Sequence, residues 1–331
     1  MTTSGRPCMP TRRLLLAAAG ASLAAPALAQ GDWPNRPVRI IVPFPPGQST
    51  DIIARLLADD LSRRWPQRVV VENRAGGAGA PALEMGARAA PDGYTLVAGS
   101  IGPLAVNPAV MARLPYDPER DFAPITNLTL VPLAIIAHPS FPANGPQDWA
   151  AAARGAAQPL DLATAGPASG AHMAAEFLAH SAGLRFNMVH YRGSGPAIAD
   201  LVGGTVRLMT DSVASALPNI RGGRVKAIGV MTPARVPWLP DVPSFAETIL
   251  PGFQAFGWNG LVAPAGTPAE ILRRIQADVA AALAEPAMRA RIDEQGMLPD
   301  PQTPDQFTAF LRAEIARWRE VARVANVRLE G

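Results

Sequence analysis

Two stretches carry residue types and spacing suited to holding an anion. The first, IIVPFPPGQSTDIIARLL (residues 40–57), reads as an apolar strand, a turn crowded with Pro and Gly, and a helix opening on Ser49, Thr50 and Asp51. The second, LDLATAGPASGAHMAAEFLAH (residues 160–180), repeats that plan: a strand, a turn holding Gly166, Pro167, Ser169 and Gly170, and a helix beginning near His172. A turn that delivers a strand into a helix leaves the first backbone N–H groups of the helix unpaired, and their dipoles favour negative charge. Gly47 permits close approach, while Ser49, Thr50 and Asp51 are able either to cap the helix or to bond a ligand. One such turn alone is most simply a cap. The matched pair points to a shared carboxylate site.

Other chemistries are weighed against this one. The segment VVVENRAGGAGA follows a strand and leads into Gly77-Ala78-Gly79-Ala80-Pro81-Ala82, a loose match to a dinucleotide fingerprint, but the acidic residue expected after the next strand is not evident. The segment AGSIG (residues 98–102) resembles a nucleophile elbow with Ala98 in place of Gly. A hydrolase of that design needs an Asp and then a His downstream of Ser100, and the last histidine is His190. His138, His172, His180 and His190 lack metal-site spacing. Asp59 and Asp60, within a helical run, read as a solvated face. Asp211 differs, because it closes the apolar strand VRLMT at the strand end where α/β proteins bind ligands, although a simple helix cap explains it equally well.

The elements that must position these residues alternate. Strand-like runs VRIIVPF, RVVVEN, YTLVAG, PLAIIAH, LDLATA, FNMVHY, VRLMTD and VKAIGVM are separated by helical runs, and several are almost continuously apolar, as in strands covered on both faces. The fold class is therefore α/β. Ile52, Ile53, Leu56, Leu57, Leu61 and Trp65 fall at helical spacing, ended by Pro66. Thr267-Pro268-Ala269-Glu270 and Thr303-Pro304-Asp305-Gln306 both read as capping boxes that open amphipathic helices, with Gly296 closing the first region. Pro-rich segments near residues 139–146 and 233–251 suit links between two lobes facing across a cleft.

Residues 1–29 read as a twin-arginine export leader, with Arg12 and Arg13, a short apolar run and a small-residue ending at Ala29 where cleavage is expected. The expected location is the periplasm. The full chain has 30 basic and 27 acidic residues; without Arg6, Arg12 and Arg13 of the leader the balance is even, so no basic field remains for nucleic acid or an anionic membrane. The only cysteine, Cys8, leaves with the leader, and neither a disulfide nor a lipid anchor is expected.

Taken together, WPNRPVRIIVPFPPGQSTDIIARLLADDLS, VVVENRAGGAGA, APDGYTLV, LPYDPERDFAPIT, AHMAAEFL, YRGSGPAIADLVGGTVRLMTDSVASALPNIRGGRVKAIGV, LPDVPSFAE and LVAPAGTP resemble the substrate-binding receptors of tripartite tricarboxylate transporters, the Bug or TctC family. The resemblance runs in order through the chain beyond the leader. It implies a two-lobed periplasmic binding protein of type II-like architecture, each lobe a mostly parallel sheet flanked by helices, with residues 30–131 and 256–331 in one lobe and 132–255 in the other. A small carboxylate, whether a di- or tricarboxylate, an amino acid or an aromatic acid, would be captured between them. No cofactor, metal or catalysis is implied; the partners would be the membrane permease subunits of the transporter, and the receptor would be a monomer.

Carried onto this chain, the resemblance implies that Phe44, Gly47, Gln48, Ser49, Thr50, Asp51 and Ser100 grip the ligand from the first lobe. Thr164, Ser169 and His172 would grip from the second, with Tyr191 and Asp211 lining the pocket. Where the family usually has Pro-Gly-Gly, this chain has Pro46-Gly47-Gln48, so the Gln48 amide is expected to enter the pocket and bond a second polar group of the ligand. Ala168 stands where Gly is common, and Ser169 keeps the hydroxyl of the usual Thr. Readings from other classes are an exported serine hydrolase using Ser100 and a sensory receptor presenting its ligand to a sensor kinase.

Overall fold

The computed structural model describes residues 33–324 and 327–328; the leader reading of residues 1–29 lies outside them. Strand β1 (Val38–Val42) shows why its sequence is almost wholly apolar. Val38, Ile40 and Val42 enter one core with Ile53, Leu57 and Leu61 of helix α1 (Ser49–Arg64), while Ile41 enters the opposite core with Leu83 of α2 (Ala80–Ala87) and Val97 of β3 (Thr95–Ser100). Successive strand residues point to opposite faces, so a sheet covered on both sides needs apolar residues at both parities. Helix α1 ends at Arg64 with Trp65 buried behind it, and Pro66 prevents continuation.

In the first lobe, β1 pairs in parallel with β2 (Val69–Asn73) and β3. Strand β9 (Phe256–Pro264) runs antiparallel between β3 and β4 (Phe122–Ala137). The three parallel strands and β4 thus share one direction, with β9 reversed among them. In the second lobe β5 (Leu160–Thr164) pairs in parallel with β6 (Phe186–His190) and β7 (Leu208–Ser212), and the far half of β4 is the reversed strand, between β7 and β8 (Lys226–Val230). A short β10 (Leu298–Pro299) covers the first half of β4. Each lobe is therefore a mostly parallel sheet with a crossing strand from the other lobe running against the grain.

The sixteen-residue β4 is the spine of the molecule. Residues up to Pro132 pair with β9, and from Leu133 onward the pairing passes to β7 and β8. In that second half Leu133, Ile135 and Ala137 pack with Trp149 of α4 (Pro146–Gly155), Leu178 of α5 (Gly170–Ser181) and Phe245 of α8 (Phe245–Thr248). Ala134 and Ile136 face Leu201 of α6 (Ser194–Val202) and Leu217 of α7 (Val213–Arg221). After β3 a π-helical turn, Gly102–Val106, leads into the short α3 (Asn107–Val110).

The C-terminal helices return to the first lobe, and two details differ from the sequence reading. Thr267 does not cap: its hydroxyl donates to the Pro264 carbonyl, and α9 (Ala269–Ala284) starts behind Pro268 without a side-chain cap. Pro286 then breaks the expected single helix, giving α10 (Pro286–Glu294), after which Gly296 (φ +68°) ends the region. The second capping box is present, with Gln306 N–H donating to Thr303 Oγ1 and Thr303 N–H to Gln306 Oε1 at the start of α11 (Pro304–Val324). Asp60 is not solvated as expected; it is buried and accepts from Arg63 and Arg64, whereas Asp59 is exposed.

Strand β9 places glycine where a side chain has no room. A Cβ on Gly260 would stand 2.2 Å from Cζ of the fully buried Phe307. Gly260→Ala should therefore destabilise the protein by about 1–3 kcal/mol through overpacking, read as a lower urea midpoint at unchanged slope; an unchanged midpoint would mean that Phe307 shifts freely.

Candidate functional site

The carboxyl end of β1 runs into a turn held from behind. Gly47 (φ +89°) donates its N–H to Asp51 Oδ2 at 2.8 Å, and Asp51 Oδ1 accepts from Asn73 Nδ2 (2.8 Å) and Arg55 Nε (3.0 Å). Asn73 Nδ2 also donates to the Phe44 carbonyl at 3.0 Å. Burial works against the charge on Asp51, but the bonds from Arg55, Asn73 and Gly47 outweigh it and hold the carboxyl below its usual range. Thr50 Oγ1 donates to Asn259 Oδ1 at 2.6 Å, and Asn259 Nδ2 donates to Thr129 Oγ1, which fastens the helix start to β9 and β4. Gln48 at the N-cap makes no side-chain cap bond, and the first intrahelical bond is Ile52 N–H to Gln48 O. The amides of Ser49, Thr50 and Asp51 precede that bond and are the unsatisfied donors of α1.

The second turn is built likewise, with histidine in place of aspartate. Ala168 sits at φ +55°, unfavourable for a residue with a Cβ, and its N–H donates to His172 Nδ1 at 3.1 Å. Accepting there leaves the ring proton on Nε2, which faces Glu176 Oε1 at 3.5 Å. Ser169 Oγ donates to the Gly166 carbonyl and accepts from His172 N–H, capping α5. The Gly170 and Ala171 amides are left at the front of that helix. Thr164 is fully buried, paired through Oγ1 with His190 Nδ1 at 2.8 Å. Burial first, and then the neighbouring His172, lower the tendency of His190 to take a proton.

Both turns open on one hollow of about 640 Å³ between the lobes. Of the residues proposed from sequence, Phe44, Gln48, Ser49, Thr50, Ser100, Ser169, Tyr191 and Asp211 line it. Gly47, Asp51, Thr164 and His172 do not line it; the latter three stand behind the wall in the bonds just described. Tyr191 Oη donates to Asp200 Oδ2, so its hydroxyl is already engaged. Asp211 Oδ1 accepts from Ser194 Oγ and Ser212 N–H, while Oδ2 is buried without a partner; burial pushes its carboxyl up to about 6 despite those two bonds.

The hollow also contains residues that sequence reasoning passed over. The loop Ala75–Gly79, set aside above as a weak dinucleotide fingerprint, forms part of its wall, with positive φ at Gly76, Gly77, Ala78 and Gly79. Its position directly after β2 was the available clue, since every parallel strand end here points at the hollow. Arg192, Gly193, Trp258 and Asn259 belong to it as well. The lobes touch around it: a Cβ on Gly170 would lie 2.5 Å from Ile101 Cγ2, and the Gln48 amide nitrogen is 3.4 Å from where a Cβ on Gly193 would stand.

Known proteins with the same geometry identify the family. Residues 53–327 match the family described as Tripartite tricarboxylate transporter family receptor. The chain belongs to the tripartite tricarboxylate transporter receptor family. It is similar to BugT of Bordetella pertussis, 37% identical over 315 residues that cover 94% of this chain and 96% of that one. Among solved structures, the receptor resembles an R. palustris protein with adipate at 34% identity and TM-score 0.85, covering 90% of this chain and 99% of that one. It also resembles MatC from Rhodopseudomonas palustris with bound malate, at 35% identity and TM-score 0.80, covering 87% and 99%. These likenesses make the fold a two-lobed periplasmic binding protein, and they make the family one of solute-binding receptors rather than enzymes. No described helix is long and apolar enough to cross a membrane.

The buried aspartates at the hollow and behind its wall, Asp211 and Asp51, give opposite pH signatures. The Asp51 carboxyl, lowered from 3.8, contributes stability that is present above that value and is lost as pH falls through its folded-state titration. Asp211, raised from 3.8 to about 6, makes the folded state hold the extra proton, so stability declines as pH rises from about 4 to about 6. At pH 7, Asp51→Asn should lose about 1.5–3 kcal/mol from its charged hydrogen bonds. Asp211→Asn should gain up to about 3 kcal/mol, with the gain vanishing near pH 4. Denaturant midpoints across pH check both signs; a destabilised Asp211→Asn at pH 7 would show that its charge is compensated.

Proposed function

We propose that the protein is an exported receptor that captures a small carboxylate between its lobes and presents the closed form to the permease subunits of a tripartite transporter. The observation that supports this reading is the convergence on one hollow of two helix starts with unsatisfied amides, α1 from one lobe and α5 from the other. Such amides favour an anion without needing a cation. The lining includes one arginine, Arg192, and one acid, Asp211, so backbone dipoles rather than an ion pair would hold the carboxylate. The bound adipate and malate of the two R. palustris relatives are small dicarboxylates and agree with this chemistry.

In this reading residues 30–131 and 256–331 form one lobe and 132–255 the other, a division supported by the change of pairing partner at Pro132 and Leu133 and by the start of β9 at Phe256. The leader of residues 1–29 is removed near Ala29, and the receptor works as a periplasmic monomer. Closure excludes water from the hollow and strengthens each hydrogen bond made there. No bond is made or broken in this reading: Ser100 lies at the end of β3 on the hollow, whereas His172 and His190 do not line it and are bonded to Ala168 and Thr164.

A thermal-shift screen of di- and tricarboxylates, amino acids and aromatic acids tests the reading. An acid present at about 100 times its Kd should add about 2.7 kcal/mol to stability; absence of any stabilising acid would refute it. Ser49→Pro tests the amide directly, because proline is tolerated at the first helical position while lacking the N–H, and Gln48 already has the extended backbone that a following proline requires. Affinity for the identified acid should fall about tenfold or more with the fold intact. Unchanged affinity in a folded Ser49→Pro would remove α1 from the binding site.

A further inference from the structure

Next to the hollow lies a second cavity of about 600 Å³, and the two share Pro45, Gln48, Arg192, Gly193, Ser194 and Ser215 as wall. Gln48 stands at this junction. Its backbone is fixed by the turn that Asp51 holds, and its side chain reaches from the first lobe to Gly193 of the second. Gly193 has φ +121°, a conformation that side-chain-bearing residues rarely adopt, so the surface opposite the amide stays bare and leaves room for it. Of the six shared wall residues, Gln48 is the one from the first lobe whose side chain approaches Gly193 across the junction.

The far cavity has a definite chemistry. Two arginines, Arg192 and Arg224, line it together with Asn219, and no aspartate or glutamate does. Both are exposed residues of the second lobe; Arg192 borders the hollow as well, whereas Arg224 lines the far cavity alone. A ligand with a carboxylate at the helix starts and a second carboxylate at the end of a long chain would find a cationic partner there, if the passage were open. Arginine is well matched to that second carboxylate.

We propose that Gln48 sets the length of acid the receptor accepts, by walling the hollow off from this arginine-lined annex so that compact carboxylates bind and long unbranched dicarboxylates are excluded. The inference rests on the carboxylate reading above and adds to it a specificity-determining residue. Its action is steric: a side chain of glutamine's size fills the gap up to Gly193, whatever its polarity. Removing the side chain joins the two cavities, and Arg224 then becomes available to the distal carboxylate.

Calorimetric titration of succinate, adipate and suberate into the exported chain and its variants tests this. Wild type should bind succinate more tightly than suberate. Gln48→Gly should bind suberate at least about tenfold more tightly than wild type and move the suberate-to-succinate affinity ratio toward suberate by at least that factor. Gln48→Met, which fills the same space without the amide, should keep the wild-type order, and Arg224→Gln added to Gln48→Gly should abolish the gain. The proposal is overturned if Gln48→Gly leaves the length profile unchanged, if Gln48→Met behaves like Gln48→Gly, or if the gain persists without Arg224. Failure of every acid on the wild type would overturn the carboxylate reading as well, whereas binding with an unaltered profile in Gln48→Gly overturns the gate alone.

Discussion

A helix fed by a buried strand cannot satisfy its own first amides, and the rest of this molecule is arranged around that constraint. The first residues of α1 and α5, which carry those donors, line one common hollow, while side chains behind each turn fix the backbone. Asp51 does this in the first lobe and His172 in the second, each accepting an N–H from its own turn. Such preorganisation matters because donors already in place need not be ordered when a ligand arrives.

The sheet topology makes the convergence possible. All parallel strands of a lobe end on the same side, so the loops after β1, β2 and β3 share one mouth and those after β5, β6 and β7 share the other. Strand β4 runs from the first sheet into the second and the chain returns to the first as β9, each antiparallel to its partner strands in the sheet it enters. The pairing partner of β4 changes between Pro132 and Leu133, and proline there donates no ladder bond.

Much of this was legible in the sequence, because β1 with α1 and β5 with α5 carry strong local patterns: apolar runs, turn residues and helical spacing agree with one another. Strand β9 was not, since Gly257, Asn259 and Gly260 interrupt its apolar pattern; Gly257 is crowded by Val131, Asn259 bonds Thr50 and Thr129, and Gly260 faces Phe307, all from far along the chain. The site was legible to the level of loops rather than side chains. A hydroxyl, carboxylate or imidazole beside a helix start serves equally to grip a ligand or to brace the turn, and only the third dimension places Ser49 and Thr50 on the hollow and Asp51 and His172 behind it. The loop Ala75–Gly79 escaped notice because its glycines fit a familiar alternative, while its actual role follows from where β2 ends.

The central claim is that both sets of amides meet the same bound anion. Amide-resolved NMR of the isotopically labelled protein, titrated with an acid that stabilises it, reads this most directly. The account predicts that the Ser49, Thr50, Gly170 and Ala171 amide signals shift together with one saturation curve. Saturable binding that leaves either group of amides unmoved would contradict it.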